Sequence, residues 1–284
     1  MEKLVRKYPV WTAAAGFFAV YVLFYLIPTP NEAAGILLRF GFAAVLLYVM
    51  YLAGGRQVFA WERGSFLRSL RLYKSVLIIM LIPTAVTGLA RFFTGEPLPG
   101  WQERLAVAGV DALAVGLFEE TWFRGVILCG LVAKFGRTRK GLLVAVLGTS
   151  LLFGFIHVAG SLLGPLSPAV VLQMVLKTLE TGAMGVLIAV TYLKTRNIWA
   201  VAFLHGLGDY FSFAIQAVYT GSSGEGYVSE TLSAPDAAIF IVFTLIGLIP
   251  AVIGLKHLKK MPLPELGFWK TGEQVCSAAD RRGK

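Results

Sequence analysis

The sequence predicts an all-α, polytopic membrane protein of about eight transmembrane helices around a polar chamber. Three observations carry that prediction. Of the 284 residues, 57% are hydrophobic and only 15% charged, and the mean hydropathy is +0.72, too apolar for a soluble globule. Apolar runs of about 20 residues, the length a bilayer demands, recur along the whole chain. Charged residues collect in the short links between those runs, and their sign alternates from link to link.

The runs lie near 10–27, 34–53, 75–93, 105–133, 141–160, 169–193, 198–219 and 237–255. The first follows Lys3, Arg6 and Lys7, but it is long and no small-residue cleavage site follows, so it reads as an uncleaved anchor. Arg56, Arg63, Arg68, Arg71 and Lys74 follow the second run, and Lys134, Arg137, Arg139 and Lys140 the fourth. Lys194 and Arg196 follow the sixth, and Lys256, Lys259 and Lys260 the eighth. The intervening links carry Glu32, then Glu96 and Glu103 beside Arg104, then no charge, then Glu225, Glu230 and Asp236. By the positive-inside rule both termini face the cytoplasm, in a multi-pass protein of the cytoplasmic membrane.

Residues 1–260 read as one transmembrane domain and 261–284 as a poorly ordered cytoplasmic tail with Pro262 and Pro264 at its start. The basic loop 54–74, with Phe59, Trp61 and Phe66, reads either as a helix lying on the cytoplasmic face or as a solvated loop. Segment 220–236, rich in Gly and Ser, reads as a flexible outer loop. The net charge of +10 is spread over these links rather than over one folded face, which argues against a nucleic-acid partner. Cys129 and Cys276 show no paired spacing, so a disulfide framework is not expected.

Ionisable groups inside spans are costly and are retained where they pair, face a cavity or do chemistry. The fourth run holds Asp111, Glu119, Glu120 and Arg124; the fifth ends at His157; the sixth holds Lys177 and Glu180; the seventh holds His205 and Asp209. Glu120 and Arg124 are helical i,i+4 neighbours in the favourable order, acid before base. Glu119 lies about 100° around the helix from Glu120, away from the pair. A carboxylate left so in a low-dielectric chamber is suited to act as a general base. Phe153 and His157, and His205 and Asp209, repeat the i,i+4 spacing. Counting rises of about 1.5 Å per residue, Glu119, His157, His205 and Asp209 can meet near mid-bilayer or above it. A meeting point in the outer half would suit the processing of exported proteins.

Plainer readings stand beside these. The Glu119, Glu120 and Arg124 group is also what a structural charge cluster would look like, His157 can be satisfied by a backbone carbonyl, and a His205–Asp209 pair can bridge helices. Lys177 and Glu180 are i,i+3 and neutralise one another. His257 reads as structural, and Asp111 has no evident partner. Ser150 and Cys129 lie too many turns from His157 and Glu120 for a nucleophile–base pair on one helix.

Glu119-Glu120-Thr121-Trp122-Phe123-Arg124 is an EExxxR motif, Phe153-Gly154-Phe155-Ile156-His157 an FxxxH motif, and His205-Gly206-Leu207-Gly208-Asp209 an HxxxN/D motif. In order and placement they resemble the CPBP family of intramembrane proteases, which includes type II CAAX prenyl endopeptidases, Abi or bacteriocin-immunity proteins and myxosortases. The resemblance covers roughly 105–220. It implies a glutamic-type peptidase that hydrolyses a peptide bond near a lipidated or membrane-anchored end of a substrate protein, with no cofactor. In that scheme Glu119 deprotonates a water, His157 positions it, and His205 with residue 209 stabilises the oxyanion. Glu120 with Arg124 orients Glu119. Prenyl endopeptidases typically carry Asn where this chain has Asp209, which donates a hydrogen bond only when protonated. Asp209 is therefore expected to orient His205.

Two alternatives remain open in the sequence. Glu119, His157 and His205 are also a ligand set for Zn²⁺, although HExxH is lacking. A non-proteolytic bacteriocin-immunity or scaffold protein of the Abi type would carry the same spans. The partners expected are a membrane-associated protein or peptide and the bilayer itself; a prenylated CAAX protein, a bacteriocin leader and a C-terminal sorting anchor all fit.

Overall fold

A computed structural model describes residues 2–55, 59, 61–221 and 228–264. Among them every regular element is helical, as the sequence predicts. A short α1 (Glu2–Lys7) leads into α2 (Pro9–Leu26), α3 (Glu32–Leu52), α4 (Ser65–Thr94) and α5 (Trp101–Glu120). A π-helical segment, Thr121–Leu128, joins α5 directly to α6 (Cys129–Phe135). Then come α7 (Arg139–Ile156), a 3₁₀ turn (Ala159–Leu163), α8 (Pro168–Thr195), α9 (Ile198–Tyr219) and α10 (Ala234–Lys260).

The links set these boundaries by capping. Asn31, Thr138, Ser167, Asn197 and Ser233 each accept a hydrogen bond from the backbone N–H three residues on, at the start of α3, α7, α8, α9 and α10. Pro168 sits at the start of α8, where its missing N–H costs nothing. At the other end of α8, Arg196 takes a left-handed φ of 50° and its N–H closes on the Tyr192 carbonyl.

Seven helices, α2, α3, α4, α7, α8, α9 and α10, are long and apolar enough to cross a membrane. The expected span at 105–133 is the exception. It forms one continuous path, but divided into α5, the π segment and α6, and its four charged residues depress its hydropathy. The third span begins earlier than expected: α4 starts at Ser65, so Phe66, Arg68, Arg71 and Lys74 belong to it and not to a helix lying on the surface. Its 30 residues reach roughly 45 Å, more than the hydrocarbon thickness, which lifts that basic end clear of the bilayer. The fifth span stops at Ile156 instead of continuing to 160, and the 3₁₀ turn follows.

Segment 56–58 and residue 60 of the basic loop, 222–227 of the outer loop, and tail residues 265–284 with Cys276 lie outside the described residues. The described end of the outer loop is fastened to α8: Gln173 Nε2 donates to the Ser229 carbonyl at 2.8 Å, and the Ser229 N–H donates to Gln173 Oε1 at 3.1 Å.

Helix contacts in a bilayer gain little from the hydrophobic effect and depend on close packing of small residues. Two crossings show this. A Cβ at Gly116 would strike the Ala202 carbonyl, and one at Gly206 would come within 2.5 Å of the Ala112 carbonyl, so α5 and α9 touch backbone to backbone. At the second crossing a Cβ at Gly154 would strike the Thr178 carbonyl, pressing α7 onto α8. Large side chains such as Trp11, Phe18, Phe92 and Phe93 face outward at 63–75% exposure, as a lipid-facing surface requires.

Candidate active site

The α5–α9 crossing brings together the first and third sequence motifs. Glu119 and Glu120 end α5, one turn past Gly116, while His205 precedes Gly206 on α9 and Asp209 follows it. The α7–α8 crossing delivers His157, which caps α7. Arg124 projects from the π segment, every residue of which is buried. All six motif residues meet at one depth.

Glu120 is fully buried and is the knot of the cluster. Its Oε1 accepts from Arg124 Nη1 at 2.9 Å and from His205 Nδ1 at 2.7 Å. The bond to Arg124 is the one the i,i+4 spacing predicts; the bond to His205 is the contact that the sequence does not show. Arg124 also reaches the Gly185 carbonyl at 3.4 Å, which ties α8 to the same centre.

Glu119 faces the other way, as its angle on the helix requires. Its Oε2 stands 3.8 Å from His157 Nε2 and 3.8 Å from His205 Nε2. That oxygen is itself buried and has no hydrogen-bond partner among the described residues, while the side chain as a whole is 16% exposed. The tautomer of His157 follows from its other nitrogen: Nδ1 lies 2.7 Å from the Phe153 carbonyl, which can only accept. Nδ1–H therefore donates, and Nε2 presents a lone pair toward Glu119. Asp209 Oδ2 is 3.4 Å from His205 Nε2, in line with an orienting contact.

Phe153 does more than its place in the second motif suggests. Its ring lies 4.4 Å below the Arg124 guanidinium, and its centroid is 4.8 Å from the His157 ring and 5.8 Å from the His205 ring. One aromatic thus sets the spacing of three polar groups.

Two cavities flank the cluster. One, of about 310 Å³, is lined by Tyr73, Met80, Lys177, Glu180 and His205 among others. The second, of about 510 Å³, is lined by Tyr21, Phe24, Arg39, Asp111, Phe118 and Glu119 among others. His157, Asp209, Ser212, Phe213 and Gln216 line both. The general-base candidate and the second histidine therefore look into different chambers, with His157 and Asp209 on the boundary. Among the described residues no three His, Cys, Asp or Glu are grouped so as to hold a metal ion. That holds for the alternative ligand set Glu119, His157 and His205.

Asp111, left without a partner by the sequence, binds Arg39 of α3 at 3.0 Å. The signal was present. Arg39 is itself an ionisable residue inside a predicted span, and it lies about as far from the start of its run as Asp111 does from the start of its own. Tyr73 was not singled out at all; its buried hydroxyl has no partner among the described residues and lies on the chamber that holds His205. Lys177 and Glu180 pair at 3.4 Å as expected, and His257 Nδ1 meets Lys194 at 3.4 Å, away from the cluster.

Residues 99–211 match the family model described as Type II CAAX prenyl endopeptidase Rce1-like. The chain resembles a CPBP-family protease. All three motifs and the two glycine crossings at Gly116 and Gly154 lie within the Rce1-like segment, whereas α2, α3, α4 and α10 lie outside it. The match supports a CAAX-type protease in general, and the seven long apolar helices an integral multi-pass membrane protein. No curated protein and no solved structure matches the chain.

Proposed function

We propose that the protein is an intramembrane endopeptidase that cleaves a peptide bond beside a lipidated or membrane-anchored end of its substrate, using a water activated by Glu119. The observation that carries this reading is the placement of Glu119 Oε2, 3.8 Å from the Nε2 atoms of both histidines. That separation is too long for a hydrogen bond and short enough for one water to touch Glu119 and His157 together.

Glu119 takes a proton from that water while the His157 Nε2 lone pair holds its other hydrogen. The oxygen adds to the scissile carbonyl carbon. The carbonyl π pair moves to its oxygen, where His205, as an imidazolium with Nδ1–H given to Glu120, donates from Nε2–H to the developing oxyanion. As the oxyanion collapses the C–N bond breaks, and Glu119 returns its proton to the leaving amine. No covalent enzyme intermediate forms. Glu120 fixes the His205 ring through Nδ1, and Asp209 orients it from the other side.

Terminal-peptide proteomics on membranes and medium, wild type against Glu119→Gln, tests the reading. Protein termini that vanish in the variant and return with the wild-type gene are the expected result, with the turnover of an identified substrate reduced at least about 10³-fold. Unchanged termini, with a cellular effect that still depends on the gene, would favour an immunity or scaffold role.

A further inference from the structure

Two independent asymmetries in this bundle point the same way. The first is in the chain's charge. The links 27–31, 95–100, 157–167 and 220–233 contain no Lys or Arg, whereas 53–64, 136–138, 196–197 and the segment after Lys260 all do. Arg91 and Arg104 stand near the first set, but among Glu32, Glu96 and Glu103. Such a bias places the first set outside and the second in the cytoplasm.

The second is in the packing above and below the catalytic cluster. Most of the lining of the two chambers comes from the cluster itself or from helix portions and links leading to the lysine-free and arginine-free side; Tyr73 and Val76 of α4 and Ile188 of α8 extend the smaller chamber a turn toward the other side. Tyr21 to Tyr25 end α2, Arg39 is early in α3, and Pro83 to Thr87 are late in α4. Gly160, Ser161 and Val228 lie in the links themselves. Past Tyr73, Val76 and Ile188, the described residues of the basic side are tightly packed. Leu128, Cys129, Leu142, Leu187, Val190 and Ile198 are all fully buried, and Arg124 closes the cluster at 1% exposure. A polypeptide cannot pass through packing of that density without unfolding it.

We infer that the cluster opens only to the non-cytoplasmic face, and that the substrate is the membrane-adjacent segment of an exported protein rather than the tail of a cytosolic one. This rests on the protease reading for what is cleaved, but not for which way the site opens. The chambers suit such a segment. Aromatic and aliphatic walls at Phe24, Phe118, Met80 and Met184 accept its apolar part, while the Arg39–Asp111 and Lys177–Glu180 pairs can meet the polar residues on the water side.

Single-cysteine accessibility tests the direction without needing activity. In a background with Cys129→Ala and Cys276→Ser, the reporters are Ser212→Cys, which lines both chambers, Ser161→Cys at the rim of the larger, and Arg137→Cys in the opposite link. A charged, membrane-impermeant maleimide is applied to intact cells and to inverted vesicles. The inference expects positions 161 and 212 to label in intact cells and position 137 only in inverted vesicles, with the same pattern when Glu119→Gln is added. Labelling of position 212 from the cytoplasmic side, or from neither side, overturns it. Correct labelling with no termini lost in Glu119→Gln would leave the direction standing and defeat only the protease reading.

Discussion

Glu120 Oε1 lies 2.7 Å from His205 Nδ1, and this one contact joins the first and third motifs across the α5–α9 crossing. The same oxygen holds Arg124, so a fully buried carboxylate carries two donors. Replacing Glu120 by Ala leaves a buried guanidinium uncompensated, and a loss of about 3–5 kcal/mol is expected. Thermal unfolding in detergent should show it. Glu120→Gln keeps the shape and is expected to lose less stability while still lowering turnover, because His205 is no longer held by a charge. If Glu120→Ala unfolds with the wild type, the knot has been misread.

Asp209 stands where the related prenyl endopeptidases typically have Asn. Its 3.4 Å approach to His205 Nε2 is an orienting contact that an amide can also make. Asp209→Asn is therefore expected to keep activity within about tenfold, and Asp209→Ala to lose about 10²-fold. Turnover of one identified substrate by the two variants decides the matter. Equal losses would mean that the carboxylate charge is needed.

Arg39 and Asp111 pair across α3 and α5 with Arg39 only about one quarter exposed. A double-mutant cycle with Arg39→Ala and Asp111→Ala should return a coupling of about 1–3 kcal/mol in unfolding. Additive single effects would show that the 3.0 Å contact is worth nothing net.

The helix crossings give a sharper contrast. Gly116→Ala drives a methyl into the backbone of α9 and is expected to cost about 3 kcal/mol or more, with loss of activity because Glu119 and Glu120 move away from His205. Gly148 on α7 has nothing within 4 Å of its would-be Cβ. Gly148→Ala should be neutral or stabilising by up to about 1 kcal/mol. Similar melting points for the two variants would remove the argument for backbone contact between α5 and α9.

The spans and all six motif residues were legible in the sequence because bilayer thickness and helical pitch act along the chain. Glu120 with Arg124, and Lys177 with Glu180, are pairs within one helix, and spacing alone sets them. Contacts between helices depend on rotation and crossing, which spacing does not determine. Spacing therefore gives the Glu120–Arg124 pair but not the Glu120–His205 bond, and it places Phe153 beside His157 but not beneath Arg124. Arg39 escaped for a different reason: it sits outside the motif-bearing runs, although the rule that picked out Asp111 applies to it equally. The π segment left no mark in the hydropathy, because an extra residue in a turn changes neither composition nor length appreciably.

That π segment governs the phase of the residues within it. An α-helix advances about 100° per residue, and a π turn holds one residue more than an α turn. Deleting any one residue from Thr121–Leu128 lets the segment relax to ordinary α geometry. Because the wide turn had absorbed that residue, α6 then keeps roughly its phase toward α2 and α7, and what is displaced is the stretch between, where Arg124 meets Glu120 and the Gly185 carbonyl. The extra residue is a local device that sets where Arg124 and its buried neighbours point, so a single-codon deletion is expected to break the Arg124 contacts while α6 stays in place.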